Sequence, residues 1–96
     1  MSILHWTPKG FTDKVDFIKT MSIRHKNFDA DKLVVKTAYK GVNIELSFRN
    51  QYKHRMLECI IIHDGYHINM KHHKKGFITG HDFILFINRI CNNIEG

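Results

Sequence analysis

A segment rich in lysine and histidine holds the residue types in this sequence that could bind a ligand most directly. It runs His67-Ile-Asn-Met-Lys-His-His-Lys-Lys75 and contains three lysines, three histidines and no acid. Ammonium groups bind phosphate and carboxylate oxygens, and the segment leads into the start of the last predicted helix, where free amides also favour anions. The sequence therefore predicts an anion-binding site. We assign to it Arg49, Arg55, His67, Lys71, His73, Lys74 and Lys75.

The overall charge favours the same interpretation. The net charge is +6 with histidine neutral and the pI is near 9.5, which favours nucleic acid or an acidic protein face as partner. Tyr52 and Tyr66 could stack on bases. The element order, and the lysines that open the last helix, resemble the double-stranded-RNA-binding fold, although this chain has one strand more. The alternative is a solvated basic loop without a ligand.

Histidine is abundant enough to raise the question of a metal. There are eight histidines in 96 residues. A site built from His63, His72 and His81 is one alternative, because all three could approach one end of the predicted sheet. Neither Cys59 nor Cys91 has a Cys-x-x-Cys partner. We assign no metal and no cofactor.

Nuclease chemistry is a further alternative. The pair His63-Asp64, followed by a helix with His81 and Asn88, resembles the hairpin of ββα-metal nucleases, but the Asp-Gly turn is tighter than those enzymes use. Arg49 and His54 have the Arg-x4-His spacing of some ribonucleases. Small basic ribonuclease toxins use scattered basic and aromatic residues. Since nucleophile motifs and phosphate-cradling glycine loops are absent from the sequence, we expect a binding protein rather than an enzyme.

Two predicted helices frame these residues. The first covers residues 12–25, with Thr12 as its N-cap. Apolar residues recur there at helical spacing and are predicted to face the core: Phe11, Val15, Ile18 and Met21, with Phe17 widening the stripe. The last helix starts with a Thr79-Gly-His-Asp82 capping box. From Phe83 onward, apolar residues cover most of the circumference of this helix. We therefore expect it either to be deeply buried or to present an exposed apolar surface to a partner.

Four strands are predicted between the helices, at Leu33–Tyr39, Val42–Phe48, Met56–His63 and Tyr66–His72. Lys40-Gly41 and Asp64-Gly65 form short reversals between them, and residues 50–53 form a longer turn. The run Ile60-Ile61-Ile62 breaks the alternation and predicts a strand that is covered on both faces.

This order, α-β-β-β-β-α, predicts one α+β domain over residues 1–96. We expect a two-layer sandwich in which both helices pack on one face of a four-stranded antiparallel meander and leave a polar face open. Residues 1–10 are too polar and too short for a secretory signal, and no apolar run approaches the roughly 20 residues of a membrane span. With both cysteines expected to be buried and reduced, we predict a cytoplasmic protein without a membrane partner, in the host cytoplasm if it is viral.

The function predicted from the sequence is non-enzymatic binding of nucleic acid or another anionic partner. The main alternative is a phage or viral accessory protein that inhibits a host protein through the polar face, an edge strand or the apolar surface of the last helix. The predicted edge strand Leu33–Tyr39 could also pair with a second copy, which favours a homodimer.

Overall fold

Strands and helices follow one another in the order β1-α1-β2-β3-β4-β5-α2 in the computed structural model, which describes residues 2–49, 55–74 and 78–96. The strands are β1 (Ile3–Trp6), β2 (Lys32–Tyr39), β3 (Val42–Arg49), β4 (Arg55–His63) and β5 (Tyr66–Lys74). The helices are α1 (Lys14–Lys26) and α2 (Gly80–Glu95). Neither helix in the described ranges is long and apolar enough to cross a membrane.

The predicted α+β sandwich is confirmed. Strands β2 to β5 form an antiparallel meander, and each strand pairs with its neighbour in the chain. The sheet gains one strand beyond the predicted four, because β1 pairs parallel to β2. Trp6 of β1 packs on the helical layer, where the guanidinium of Arg24 lies 4.7 Å from the centre of its ring.

The outer edge of β2 is covered along its length. Strand β1 pairs with Lys32–Val35, and further along the Phe11 amide donates to the carbonyl of Ala38 at 2.8 Å. The prediction that Leu33–Tyr39 is an edge strand is therefore wrong. A four-residue strand that pairs across the intervening helix leaves no alternation signal in the sequence. Among the described residues, β1 and β5 form the free edges of the sheet.

Two tight hairpins set the register of the meander. Lys40 and Gly41 both have positive φ, at 49° and 80°, and Asp64 and Gly65 repeat the pattern at 48° and 77°. Positive φ at both central residues is the geometry of the type I′ turn, which matches the twist of antiparallel strands. The predicted reversals at these two positions are confirmed.

The core lies between the helices and one face of the sheet. Because side chains alternate along a strand, every second residue of β2, β3 and β4 points toward the helices. The sheet contributes Leu33, Val35, Tyr39, Ile44, Leu46, Phe48, Leu57, Cys59, Ile61 and Met70 to the buried cluster. The helices contribute Phe17, Met21, Phe83, Phe86, Ile87, Ile90 and Cys91.

Aromatic contacts join the two helices to the sheet. His25 of α1 stacks on Phe83 of α2 with the ring centres 4.2 Å apart, and both rings meet Phe48 of β3 edge-on. Phe17 stacks on Tyr39 at 5.1 Å. Both helices therefore cover the same face of the sheet, as predicted.

The isoleucine run of β4 is covered on one face only. Ile61 is buried under the helices, whereas Ile62 is 37% exposed on the other side of the sheet. The prediction that this strand is covered on both faces is wrong, since no element in the described part of the chain packs against that side. The uncovered face is consequently less polar than predicted.

Helix α1 begins one residue later than predicted. Asp13, not Thr12, is the N-cap, and its carboxylate accepts a hydrogen bond from the Asp16 amide at 3.3 Å. Phe11 lies outside the helix beside β2, and Val15 is 71% exposed. The predicted core stripe is therefore wrong at Val15. Phe11 packs against the core from outside the helix, and Phe17 and Met21 are buried as predicted.

The cap of α1 can be tested with neighbouring substitutions. Asp13→Ala should lower the free energy of unfolding by about 1 kcal/mol, because it removes the side-chain acceptor for a free helix amide. Thr12→Ala should change it by less than about 0.5 kcal/mol. Urea denaturation followed by circular dichroism measures both values. A larger loss from Thr12→Ala than from Asp13→Ala would contradict the cap.

Candidate nucleic-acid interface

We call the sheet face that the helices leave uncovered the open face. Alternation and register place Lys32 and Arg49 on it, directly opposite each other on β2 and β3. Lys71 of β5 lies on the same face, opposite Glu58 of β4. Arg49 and Lys71 are exposed and Lys32 is half-buried. Three cations thus lie toward the end of the sheet where β2 begins and β5 ends.

Two of the predicted site residues, Arg49 and Lys71, are brought together on this face. His67 is the third predicted site residue whose side chain the structure describes. It is also on the open face, but at the hairpin end of β5. It lies four residues from Lys71, or roughly 13 Å along the strand. Lys32 was not predicted as a site residue, because only the register shows that it opposes Arg49.

For the other predicted residues, the structure describes either the backbone position only or nothing. The register of β4 and β5 sets Arg55 opposite Lys74 and Met56 opposite His73, at the same end of the sheet as Lys32 and Arg49. Lys75 lies outside the described residues, as does Tyr52. Tyr66 is exposed, but it pairs with His63 and alternates away from His67, so it does not lie on the open face.

Acidic residues interrupt the positive charge toward the middle of the face. The Lys71 ammonium and the Glu58 carboxylate are 4.0 Å apart, and Glu45 lies opposite Lys36 in the register. An ion pair at that distance between an exposed lysine and a half-buried glutamate contributes little, since water still reaches it and competes with it. The unbalanced positive charge is therefore confined to the end that carries Lys32 and Arg49.

The hairpin half of the open face has a different chemistry. Ile60 and Ile62 lie there, and a hollow of about 500 Å³ opens between Pro8, Lys36 and Glu45. Its lining combines one cation with one carboxylate and apolar groups. This half is therefore not suited to a polyanion.

The histidines of the proposed metal site do not meet. His72 pairs with Leu57, six positions before His63 on β4, which separates the two histidines by roughly 20 Å. His63 instead contacts the Asp64 carboxylate at 3.3 Å. Across residues 2–49, 55–74 and 78–96, no group of three or more histidine, cysteine or acidic residues could hold a metal ion.

The nuclease arrangement is not assembled either. His63 adjoins the β4–β5 hairpin, whereas His81 lies in the first turn of α2, which follows the opposite end of β5. The hairpin is the tight two-residue turn, so its ends cannot hold a substrate between them. His54, the other candidate, falls outside the described residues.

The groups whose pKa is shifted lie under α2, away from the open face. The buried Tyr39 hydroxyl donates to a Glu95 carboxylate oxygen at 2.8 Å, and the Lys40 ammonium lies 2.6 Å from the same oxygen. The hydrogen bonds from Lys40 and Tyr39 lower the pKa of Glu95, and burial raises the pKa of Tyr39 and of the neighbouring Cys91. These contacts join the end of α2 to the β2–β3 hairpin and are structural.

Cys59 is equally remote from any site chemistry. It is fully buried at the centre of the sheet, and desolvation raises the pKa of its thiol to about 12. A thiol held protonated in this way is a poor nucleophile and a poor metal ligand.

Comparison with protein-family models, with curated proteins and with solved structures found no match to this chain.

The contact of Glu95 predicts a pH dependence of stability. Its pKa is lower in the folded state than the ordinary value of 4.5, so its stabilising contribution is present above that pH and is lost as the pH falls through the folded value. Glu95→Gln should therefore be less stable than the wild type at pH 7, and the difference should shrink on acidification below about pH 4.5. Urea midpoints measured at a series of pH values test this. A difference that stays constant over that range would contradict it.

Proposed function

We propose that the protein binds the phosphate backbone of nucleic acid through the open face, at the end that carries Lys32, Arg49 and Lys71. One observation carries the proposal: the register sets two cations, Lys32 and Arg49, directly opposite each other on neighbouring strands. Like charges in this position destabilise a sheet by a few tenths of a kcal/mol to about 1 kcal/mol. An anion between the two side chains removes that repulsion and gains two charge-assisted contacts.

Lys71 supports the same end of the open face from another strand. The register sets it level with Ser47 of β3, two positions from Arg49, so cations of β2, β3 and β5 are spread across this end of the face. A partner with regularly repeated negative charge fits such a spread of cations better than a single small anion does. The phosphates of a nucleic acid strand have this property.

The chemistry of the face favours phosphates over bases. In the described part of the chain, the open face has no phenylalanine, tyrosine or tryptophan ring on which a base could stack. Lysine contacts to phosphate position a nucleic acid but carry no sequence information. The proposed binding is therefore independent of sequence and strongly dependent on salt.

A protein partner at the β5 edge is the second candidate. In a two-residue hairpin, the two residues that flank the turn exchange backbone hydrogen bonds. His63 and Tyr66 are this pair, and from there every second residue of β5 exchanges backbone hydrogen bonds with β4. The backbone groups of His67, Asn69 and Lys71 then point to the free edge, which a partner strand could extend. A second copy of the chain could also pair there, in place of the β2 edge that β1 covers.

The binding proposal can be tested with matched lysine substitutions. Lys32→Gln with Lys71→Gln should reduce the slope of log affinity against log salt by about 0.9 for each lysine on duplex DNA. The affinity for a random-sequence duplex should fall at least about tenfold at low salt. Fluorescence anisotropy over a salt series measures both quantities.

Lys19→Gln with Lys26→Gln is the control, because it removes the same charge from the helical layer. It should leave the slope unchanged within error. Equal losses in both double variants would mean that only net charge attracts the duplex, which would contradict an interface on the open face. If the wild type does not bind the duplex, and a protein co-purifies with it after nuclease treatment, protein binding at the β5 edge would replace nucleic-acid binding as the proposed function.

A further inference from the structure

A groove lies on the solvent side of the helical layer, between α1 and α2. It has a volume of about 460 Å³ and is lined almost wholly by apolar atoms. We call it the helix groove, and its principal residues are Val15, Ile18, Lys19, Ile23, Lys26 and Ile84. It is on the opposite side of the molecule from the open face, and its properties are independent of the proposed function.

The apolar residues of the helix groove are unusually exposed. Val15 is 71% exposed, Ile23 55% and Ile84 44%, although all three are β-branched aliphatic side chains. A single exposed residue of this kind is ordinary on a protein surface. Several of them around one concave surface indicate an interaction site.

The shape of the helix groove fits a helix. Along α1 its residues follow helical spacing from Val15 to Lys26, a length of about 17 Å or three turns. Helix α2 runs antiparallel beside it, since Lys14 contacts Asn92 at one end and His25 stacks on Phe83 at the other. A third helix laid between two antiparallel helices buries its apolar stripe against both.

The charges of the helix groove select the partner. Lys19 and Lys26 are both exposed at its rim, and its described lining includes no carboxylate. The Ser22 hydroxyl is on the same stripe, buried and without a hydrogen-bond partner in the described structure. Positive rims on an apolar floor complement a helix whose apolar stripe is flanked by glutamate or aspartate.

We infer that the helix groove binds an acidic amphipathic helix of a partner protein. A second copy of this chain does not fit, because α1 carries the basic residues Lys14, Lys19, Arg24 and Lys26 and would be repelled by itself. The apolar stripe of α2 is already buried in the core. A flat membrane surface follows a concave groove between two helices less closely than a third helix does.

Selection from a phage-displayed library of random peptides tests this inference. Peptides of about 16 residues are long enough for roughly four helical turns. Against the folded wild-type protein, the enriched sequences should show apolar residues at helical spacing with flanking acids. A synthetic, fluorescein-labelled copy of an enriched peptide then gives affinities by anisotropy.

Two adjacent substitutions separate the helix groove from general surface effects. Ile84→Glu should lower the affinity for that peptide at least about tenfold, because it places a carboxylate on the apolar floor. Leu85→Glu, at a neighbouring residue that is 49% exposed outside the groove, should change it less than about twofold. Lys19→Glu or Lys26→Glu should weaken binding about fivefold, while Lys36→Glu on the open face should not.

Three results would overturn the inference. The first is a library that enriches nothing, or enriches peptides without the acidic amphipathic pattern. The second is equal binding of the enriched peptide to wild type and Ile84→Glu, with both proteins shown to be folded by circular dichroism. The third is binding of wild type to phosphatidylserine–phosphatidylcholine vesicles that Ile84→Glu abolishes, which would assign the groove to a membrane.

Discussion

Burial of one face of the sheet is the constraint from which the other features follow. In a strand only every second side chain can point to the same layer, so the apolar residues of β2, β3 and β4 that pack under α1 and α2 leave their neighbours in water. The rings of His25, Phe48 and Phe83 join both helices to β3, the central strand of the sheet. The contact between Tyr39 and Glu95 joins the far end of α2 to the same layer.

This one-sided packing produces two surfaces with different chemistry. On the open face, the residues that alternate with the core are free to be charged, and the register gathers Lys32, Arg49 and Lys71 toward one end. On the helical side, two antiparallel helices that turn their large apolar residues to the sheet leave a shallow groove on their outer side. Since the two surfaces are on opposite layers, occupation of one leaves the other accessible.

The features predicted correctly from the sequence are those encoded by adjacent residues. The alternation from Val42 to Phe48, the two hairpins and the Thr79 capping box each depend on contacts within a few positions. Strand β1 was not predicted, because its parallel pairing spans the whole of α1. Val15 was misplaced because the face of α1 that packs on the sheet is centred on Phe17 and Met21, and Val15, two positions before Phe17, lies about 200° from it around the helix.

The candidate site was predicted in part for the same reason. The basic segment of β5 is contiguous in sequence, so Lys71 was identified, and Arg49 was identified from its charge. Lys32 is far from both in sequence and is brought beside Arg49 only by the register of β2 on β3. His67 was included because it is near Lys71 in sequence, although four residues along an extended strand place it at the other end of the face.

The most direct test of the central claim, that the open face and not the helical layer binds nucleic acid, is an NMR titration. Backbone amide shifts of the isotope-labelled protein are followed as a short random-sequence duplex is added at low salt. If the open face is the interface, the largest shifts fall on Lys32, Arg49, Lys71 and their strand neighbours, while those of α1 and α2 change little. Shifts confined to the helices, or no shifts at all, would contradict it.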